Sequence, residues 1–394
     1  MMPLRTLKVL DFSTLLPGPY ATLMLADMGA DVLRVEAPGR PELTRTMPPL
    51  DATGTSYNHT YLNRSKRSIG LNLKQPEAVE VVKRLVAEFD IVIEQFRPGV
   101  MQRLGLDYAT LSAINPRLIY CSITGFGQTG PYANRPGHDL NYLAISGVAS
   151  YTGREGQGPL PLGIQVADIA GGSLHAVTGI LAAVISRQHS GKGQQVDISM
   201  TDAAFALNGM AGAGALAGHV EPQASQMLLN GGSFYDYYRT ADGRYFSVGS
   251  LEPQFMQRLF DTIGQPELAQ LGLSENSEDQ QRLKATLTQA FAAQPFDYWQ
   301  QVFAEIEACV EPVLSVTEAA HHPQLQARNM VVTVATGREA STEAQIGSPI
   351  KFSSHETQYR HTGSCLGAHT DEVLQTLGYN VDAREALRRC GALG

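Results

Sequence analysis

The apolar positions of Leu7 to Phe12 (LKVLDF) form a short strand-like run that ends in the turn-rich Leu16-Pro17-Gly18-Pro19. Tyr20 to Met28 then shows helical spacing, Gly29 stops it, and Asp31 to Glu36 (DVLRVE) returns to the texture of a strand. Strand, turn, helix, glycine, strand is a βαβ unit, which predicts a return strand parallel to the first. The alternation continues with Glu77 to Phe89 as a helix, Ile91 to Glu94 and Leu118 to Ile123 as strands, Ser173 to Arg187 as a helix and Gln195 to Ser199 as a strand. The prediction is a doubly wound, mostly parallel α/β domain of the Rossmann-like kind.

The pattern changes near Ala203. Small residues dominate NGMAGAGALAGHV, and then Phe234 to Tyr238 and Tyr245 to Val248 bracket the turn Ala241-Asp242-Gly243 as a β-hairpin. Helical periodicity follows at 254–263, 278–293 and 296–308, which describes a smaller α+β domain. Strand-like VVTVAT and the helical Thr370 to Leu377 bring back α/β character. The expected division is a large domain over 1–200, a linker over 201–225, a small domain over 226–325 and a return to the large domain over 326–394.

With 394 residues, 43% apolar and 17% charged, the chain has material for two or three domains and no long disordered stretch. Thirty Lys and Arg against 38 Asp and Glu leave a net charge of −8, so nucleic acid is an unpromising partner. Four scattered cysteines without metal-ligand spacing, and a start (MMPLRTLKVLDF) without an apolar signal core, lead to the expectation of a reduced, cytoplasmic protein. The most apolar stretch, Ala176 to Ile185, is shorter than the about twenty residues that span a bilayer, so no membrane role is expected.

Three groups of residues are candidates for chemistry. Asp168, in LGIQVADIAGG, follows an apolar run and precedes a long helix, where α/β sheets place their ligands. It reads either as a helix cap or as an ionised carboxylate for attack or proton transfer, with Gly171 and Gly172 giving a bulky ligand access to the backbone. The loop from Gly125 and Gly127 to Gly130, continuing to His138 and Asp139, offers backbone N–H groups for an anion or a thioester oxygen. His138 is a hydrogen-bonded histidine or a general base, and Glu252 is a helix-start residue before Pro253 or the group that orients that base. The basic residues Arg34, Arg64, Lys66, Arg67, Arg97 and Arg103 are surface charges, or they converge at the sheet's carboxyl edge on a phosphate-bearing cofactor.

Taken together, LDFSTLLPGPYATLMLADMGADVLRVEAPG, NRSKRSIGLNLK, FRPGVMQRLGLDY, LIYCSITGFGQTGPYANRPGHDLNYLAISG, VADIAGGSLHAVTGILAAVISRQHSGKGQQVDISM and YYRTADGRYFSVGSLEPQF resemble the class III CoA-transferase and 2-methylacyl-CoA racemase family, also called CaiB/BaiF. The resemblance covers most of residues 5 to 265 and thins beyond about 330. It implies a coenzyme A thioester substrate, neither metal nor nicotinamide, and a homodimer of two interlocked rings. In the transferases of this family an aspartate before the long helix is the nucleophile, which here is Asp168, and Gly231 and Gly232 match the loop that covers the intermediate. In the racemases a histidine and an aspartate exchange the α-proton, which here corresponds to His138 and Asp168 with Glu252 nearby.

Two positions turn away from the racemases: Ile164 stands where they carry Asn, and Asn230 where their loop carries Asp. The Ala/Gly-rich Asn208 to Gly214 also replaces the Met-rich surface that accommodates long branched tails. The expected activity is transfer of CoA from a donor such as succinyl-CoA to a short carboxylic or dicarboxylic acid. Within the family the chain is similar to bacterial itaconate CoA-transferases. The alternatives are a 2-methylacyl-CoA racemase and a CoA-binding protein without chemistry.

Overall fold

The computed structural model describes residues 1–337 and 341–394. The chain divides into two compact units: Met1–Ser146, Leu162–Leu207 and Gln324–Gly394 form the first, and Gly147–Pro161 with Asn208–Pro323 form the second. The short piece 147–161 lies within the expected large domain along the sequence, yet it groups with the second unit.

The first unit is built on one six-stranded parallel sheet. Its strands are β1 (Lys8–Asp11), β2 (Asp31–Glu36), β3 (Arg67–Gly70), β4 (Ile91–Glu94), β5 (Ile119–Thr124) and a last strand, Gln195–Ser199. Their spatial order is β3-β2-β1-β4-β5 and then Gln195–Ser199, all parallel. The order reverses between β1 and β4, the switch point of a doubly wound sheet, where the connections on the two sides diverge and leave a crevice at the carboxyl ends. Helices cover both faces because the central strands are apolar on both: Val9, Leu10, Ile91, Val92, Ile93, Ile119 and Ile123 are all buried. β3 is missed by sequence reading, because its RSIG is short and half polar.

Helix α1 (Pro17–Asp27) starts on the two prolines of the LPGP turn, whose ring-fixed φ suits the first helical positions. The long helix expected from Ser173 in fact begins at Ala167. Residues Ala167–Leu174 form a π-helical turn that runs directly into His175–Ser190. Ala167–Ser190 is thus 24 residues long and holds an 18-residue stretch with a mean hydropathy of 1.7, enough by length and composition to cross a membrane. This corrects the reading from Ala176 to Ile185 alone. Here the helix lies on β5 and the last strand, burying Ala176, Val177, Ile180 and Ala183.

The second unit has a three-stranded antiparallel sheet in which Tyr245–Val248 is flanked by Asp236–Arg239 and Val310–Pro312. Pro253–Thr262, Ser277–Ala292 and Phe296–Phe303 are among its helices. Phe234, Tyr238, Phe246, Phe260, Phe291, Phe296, Trp299 and Phe303 make an aromatic core. By contrast, the helix Gly209–Gly218 has no buried residue, and Met210 and Leu216 stand out into solvent.

Candidate active site

A cavity of about 460 Å³ opens at the switch point of the parallel sheet. Its wall is built from the segments that leave three neighbouring strands: Leu15 and Pro17 after β1, Gln95 to Pro98 after β4, and Thr124 and Gly125 at the end of β5. Ala133, Arg135 to His138, Asn141, Tyr142, Asp168 and Met200 complete it. Asp168 and His138, which lie thirty positions apart in the sequence, therefore share one pocket.

Asp168 does not cap its own helix. That task falls to Asp139, whose Oδ1 accepts the backbone N–H of Ala167 at 2.6 Å and of Asp168 at 3.1 Å. The cap reading of Asp168 is thereby replaced. With the helix start already satisfied, the Asp168 carboxylate has no hydrogen-bond partner among the described residues and stands half-buried on the cavity wall. Burial pushes its carboxyl up to about 6, the Asp139 charge adds to the rise, and His138 works against it. Near neutral pH it is ionised and weakly solvated, the state of a usable nucleophile or base.

The glycines serve packing. Gly171 and Gly172 are buried, and a Cβ on them would meet Met200 O at 3.2 Å and the Pro17 side chain at 3.0 Å. They let the π-helical turn close on α1 and on the helix after the last strand, and neither lines the cavity. At Gly125 and Gly137 a Cβ would run into the Tyr142 ring at 2.4 and 2.6 Å. Tyr142 is clamped between them, packs edge-on against Phe126, and gives its hydroxyl proton to Gly137 O. Gly127 takes φ +80° beside Asp197, which receives the N–H of Gln128.

The basic residues part company. Arg97 lines the cavity and is exposed, whereas Arg103 is exposed without lining it. Arg34 is closed on Glu42 at 2.6 Å, Arg64 on Asp27 at 2.6 Å, and Arg67 on Asp31 at 2.6 Å. Lys66 is fully buried and donates to Pro19 O and Thr22 Oγ1, each at 2.8 Å, and to Asn63 Oδ1 at 3.1 Å. The structure therefore does not bring Arg34, Arg64, Lys66 and Arg67 to the cavity. A buried cation is costly without a partner, and Arg34, Arg64 and Lys66 have found theirs inside the fold, while Arg67 is partly exposed. Arg34 still reaches the site indirectly. Its partner Glu42 also accepts the N–H of Leu15 at 2.6 Å, holding that cavity residue at φ +60°.

A profile of CoA-transferase family III matches residues 4–370. The chain belongs to this family. Human alpha-methylacyl-CoA racemase is 35% identical over 381 residues, covering 96% of this chain and 94% of that protein. The acetyl-CoA:oxalate CoA-transferase of Acetobacter aceti is 34% identical over 375 residues, with 92% of each chain covered. A crystal structure of a CaiB/BaiF family protein from Brucella suis superposes with a TM-score of 0.83 at 32% identity, over 95% of this chain and 99% of that one. The protein is thus an enzyme of the family III CoA-transferase and racemase group, whose members act on CoA thioesters.

For this family member, the remaining expected residues lie in the second unit. Glu252 is exposed at the N-terminal cap of Pro253–Thr262. Gly231, at φ +93°, gives its carbonyl to Lys284 Nζ at 2.5 Å, and a Cβ there would touch Arg154 Nη1 at 2.7 Å. At Gly232 a Cβ would strike the backbone of Gln226 at 2.3 Å. Sequence reading missed Arg135 and Tyr142. Arg135, three residues before His138, lines the cavity with its guanidinium 3.7 Å over the Tyr132 ring. The available signal was an arginine inside the loop already singled out for its glycines.

Proposed function

We propose that the protein is a CoA-transferase that moves CoA from an acyl-CoA donor such as succinyl-CoA to a short carboxylic or dicarboxylic acid, itaconate among the candidates, with Asp168 as nucleophile. The observation that carries this reading is the Asp168 carboxylate, unpartnered among the described residues, on the wall of the switch-point cavity. An Asp168 oxygen attacks the donor's carbonyl carbon and the CoA thiolate leaves, giving a mixed anhydride. The thiolate then attacks the aspartyl carbonyl, the donor's carboxylate departs, and an aspartyl-CoA thioester remains. The acceptor carboxylate attacks that thioester and expels the thiolate, which takes the new acyl group and restores Asp168. No proton is gained or lost over the cycle.

Arg97 and Arg135, both exposed on the cavity wall, supply positive charge for the phosphates of CoA. Ile164 has no polar side-chain atom to fix the Asp168 carboxylate, which suits attack better than an oriented exchange of a carbon-bound proton. Gly231 and Gly232 are proposed to cover the intermediate and keep water away. The bare apolar helix Gly209–Gly218 supports a homodimer, because exposed Met210 and Leu216 gain by being covered.

The second reading, a 2-methylacyl-CoA racemase, is favoured by the placement of His138 and Asp168 in one cavity. One experiment addresses both. The enzyme is incubated with succinyl-CoA, treated with borohydride and digested. A reduced Asp168 and CoA exchange into added acids are expected, with Asp168→Ala losing activity by at least about 10³-fold. An unmodified Asp168, together with solvent deuterium entering the α-carbon of a 2-methylacyl-CoA, decides for the racemase.

A further inference from the structure

Gln95 follows β4 directly and lines the cavity together with Asp168. Its Oε1 accepts the backbone N–H of Gly18, near the start of α1, at 3.0 Å. A backbone N–H can only donate, so this bond fixes which end of the amide faces the helix: the oxygen is committed to Gly18, and the NH₂ is the end left over. Nε2 has no hydrogen-bond partner among the described residues and is not sealed from solvent. The site thus holds an oriented, uncharged donor without an acceptor.

We propose that Gln95 Nε2 donates a hydrogen bond to the acyl carbonyl oxygen of the bound CoA thioester, stabilising the negative charge that builds there; the assignment rests on the CoA-thioester reading above. Attack at the carbonyl carbon moves the C=O π electrons onto that oxygen. Removal of an α-proton sends the electrons to the same atom as an enolate. The donor therefore serves either branch of the family's chemistry. A donor held in place before the reaction is worth more than water that must reorient, and deleting one such group commonly costs about 10²–10³ in kcat. Gln95 is neutral at every working pH, so its contribution does not titrate.

Gln95→Glu is the informative variant. It retains an oxygen to receive Gly18 N–H and substitutes an acceptor for the donor, while Gln95→Met removes the donor without adding charge. Both are expected to lower kcat by roughly 100-fold with KM for the acyl-CoA within threefold, and Gln95→Met, which adds no charge, to leave the pH profile unmoved. A kcat within threefold of wild type in Gln95→Met, or a rise in KM alone, overturns the assignment. A second arm needs no turnover. Acetyl-CoA labelled with ¹³C at its carbonyl is bound to Asp168→Ala and its infrared stretch compared with that in the Asp168→Ala/Gln95→Met double variant. A stretch shifted to lower wavenumber that returns upward on loss of Gln95 supports the donor, and an identical stretch in both sinks it. Should wild type show neither CoA exchange nor α-proton exchange while this shift depends on Gln95, the activity reading fails and the Gln95 assignment stands.

Discussion

Arg64 and Arg135 carry the same side chain in the same unit, yet one is 1% exposed and closed on Asp27 while the other stands exposed at a cavity, stacked on Tyr132. Around Arg64 the fold engages every guanidinium nitrogen: Asp27 takes Nε and Nη2, and Ile346 O and Gln345 take Nη1. Among the described residues the Arg135 guanidinium meets the Tyr132 ring face and no acceptor, so its N–H groups are left for an incoming anion. Positive charge in the sequence is therefore of two kinds, one that ties distant segments together and one that waits for a ligand. Arg34, Lys66 and Arg67 belong with the first, and Arg97 with the second.

The sharpest way to break this comparison is to remove both kinds. Arg64→Met leaves Asp27 buried without its cation and should cost about 3–5 kcal/mol of stability, read as a shift of the urea midpoint. A loss below about 1 kcal/mol would mean that the pair is ornamental. Arg97→Ala and Arg135→Ala should leave that midpoint within about 0.5 kcal/mol, as surface substitutions do. Each should raise KM for the acyl-CoA about tenfold, the effect of one charge-assisted contact, and an unchanged KM in both would remove them from the binding site.

The smallest effect concerns Asp168 itself. Its carboxyl sits near 6, so activity should fall as the pH drops below about 6 and the nucleophile takes up a proton. Asp139→Asn removes a neighbouring negative charge that helps to raise this value but retains an oxygen for the N–H groups of Ala167 and Asp168. The acid limb of the rate profile should move to lower pH, and a limb that stays or moves up contradicts the electrostatic account.

Much of this was legible in advance. The βαβ rhythm, the place of Asp168 before its helix and the hairpin at 236–248 follow from short-range periodicity and turn chemistry. Asp139's capping of a turn that starts 28 residues later was not, because a cap from outside the helix leaves no local spacing to read. The π-helical turn was equally hidden: one extra residue in a turn changes the hydrogen bonds without disturbing an Ala/Gly pattern. The fate of the arginines turned on acidic partners 8 to 37 positions away, Glu42 for Arg34 and Asp27 for Arg64, and charge counting along the chain does not resolve such pairs.

Leu15 shows what that concealment entails. A bulky residue held at φ +60° keeps its conformation because Glu42 grips its N–H and Arg34 grips Glu42. Anyone transplanting the Leu15–Pro17 lip onto another scaffold would have to carry a carboxylate and a guanidinium along with it, although neither touches what the lip embraces.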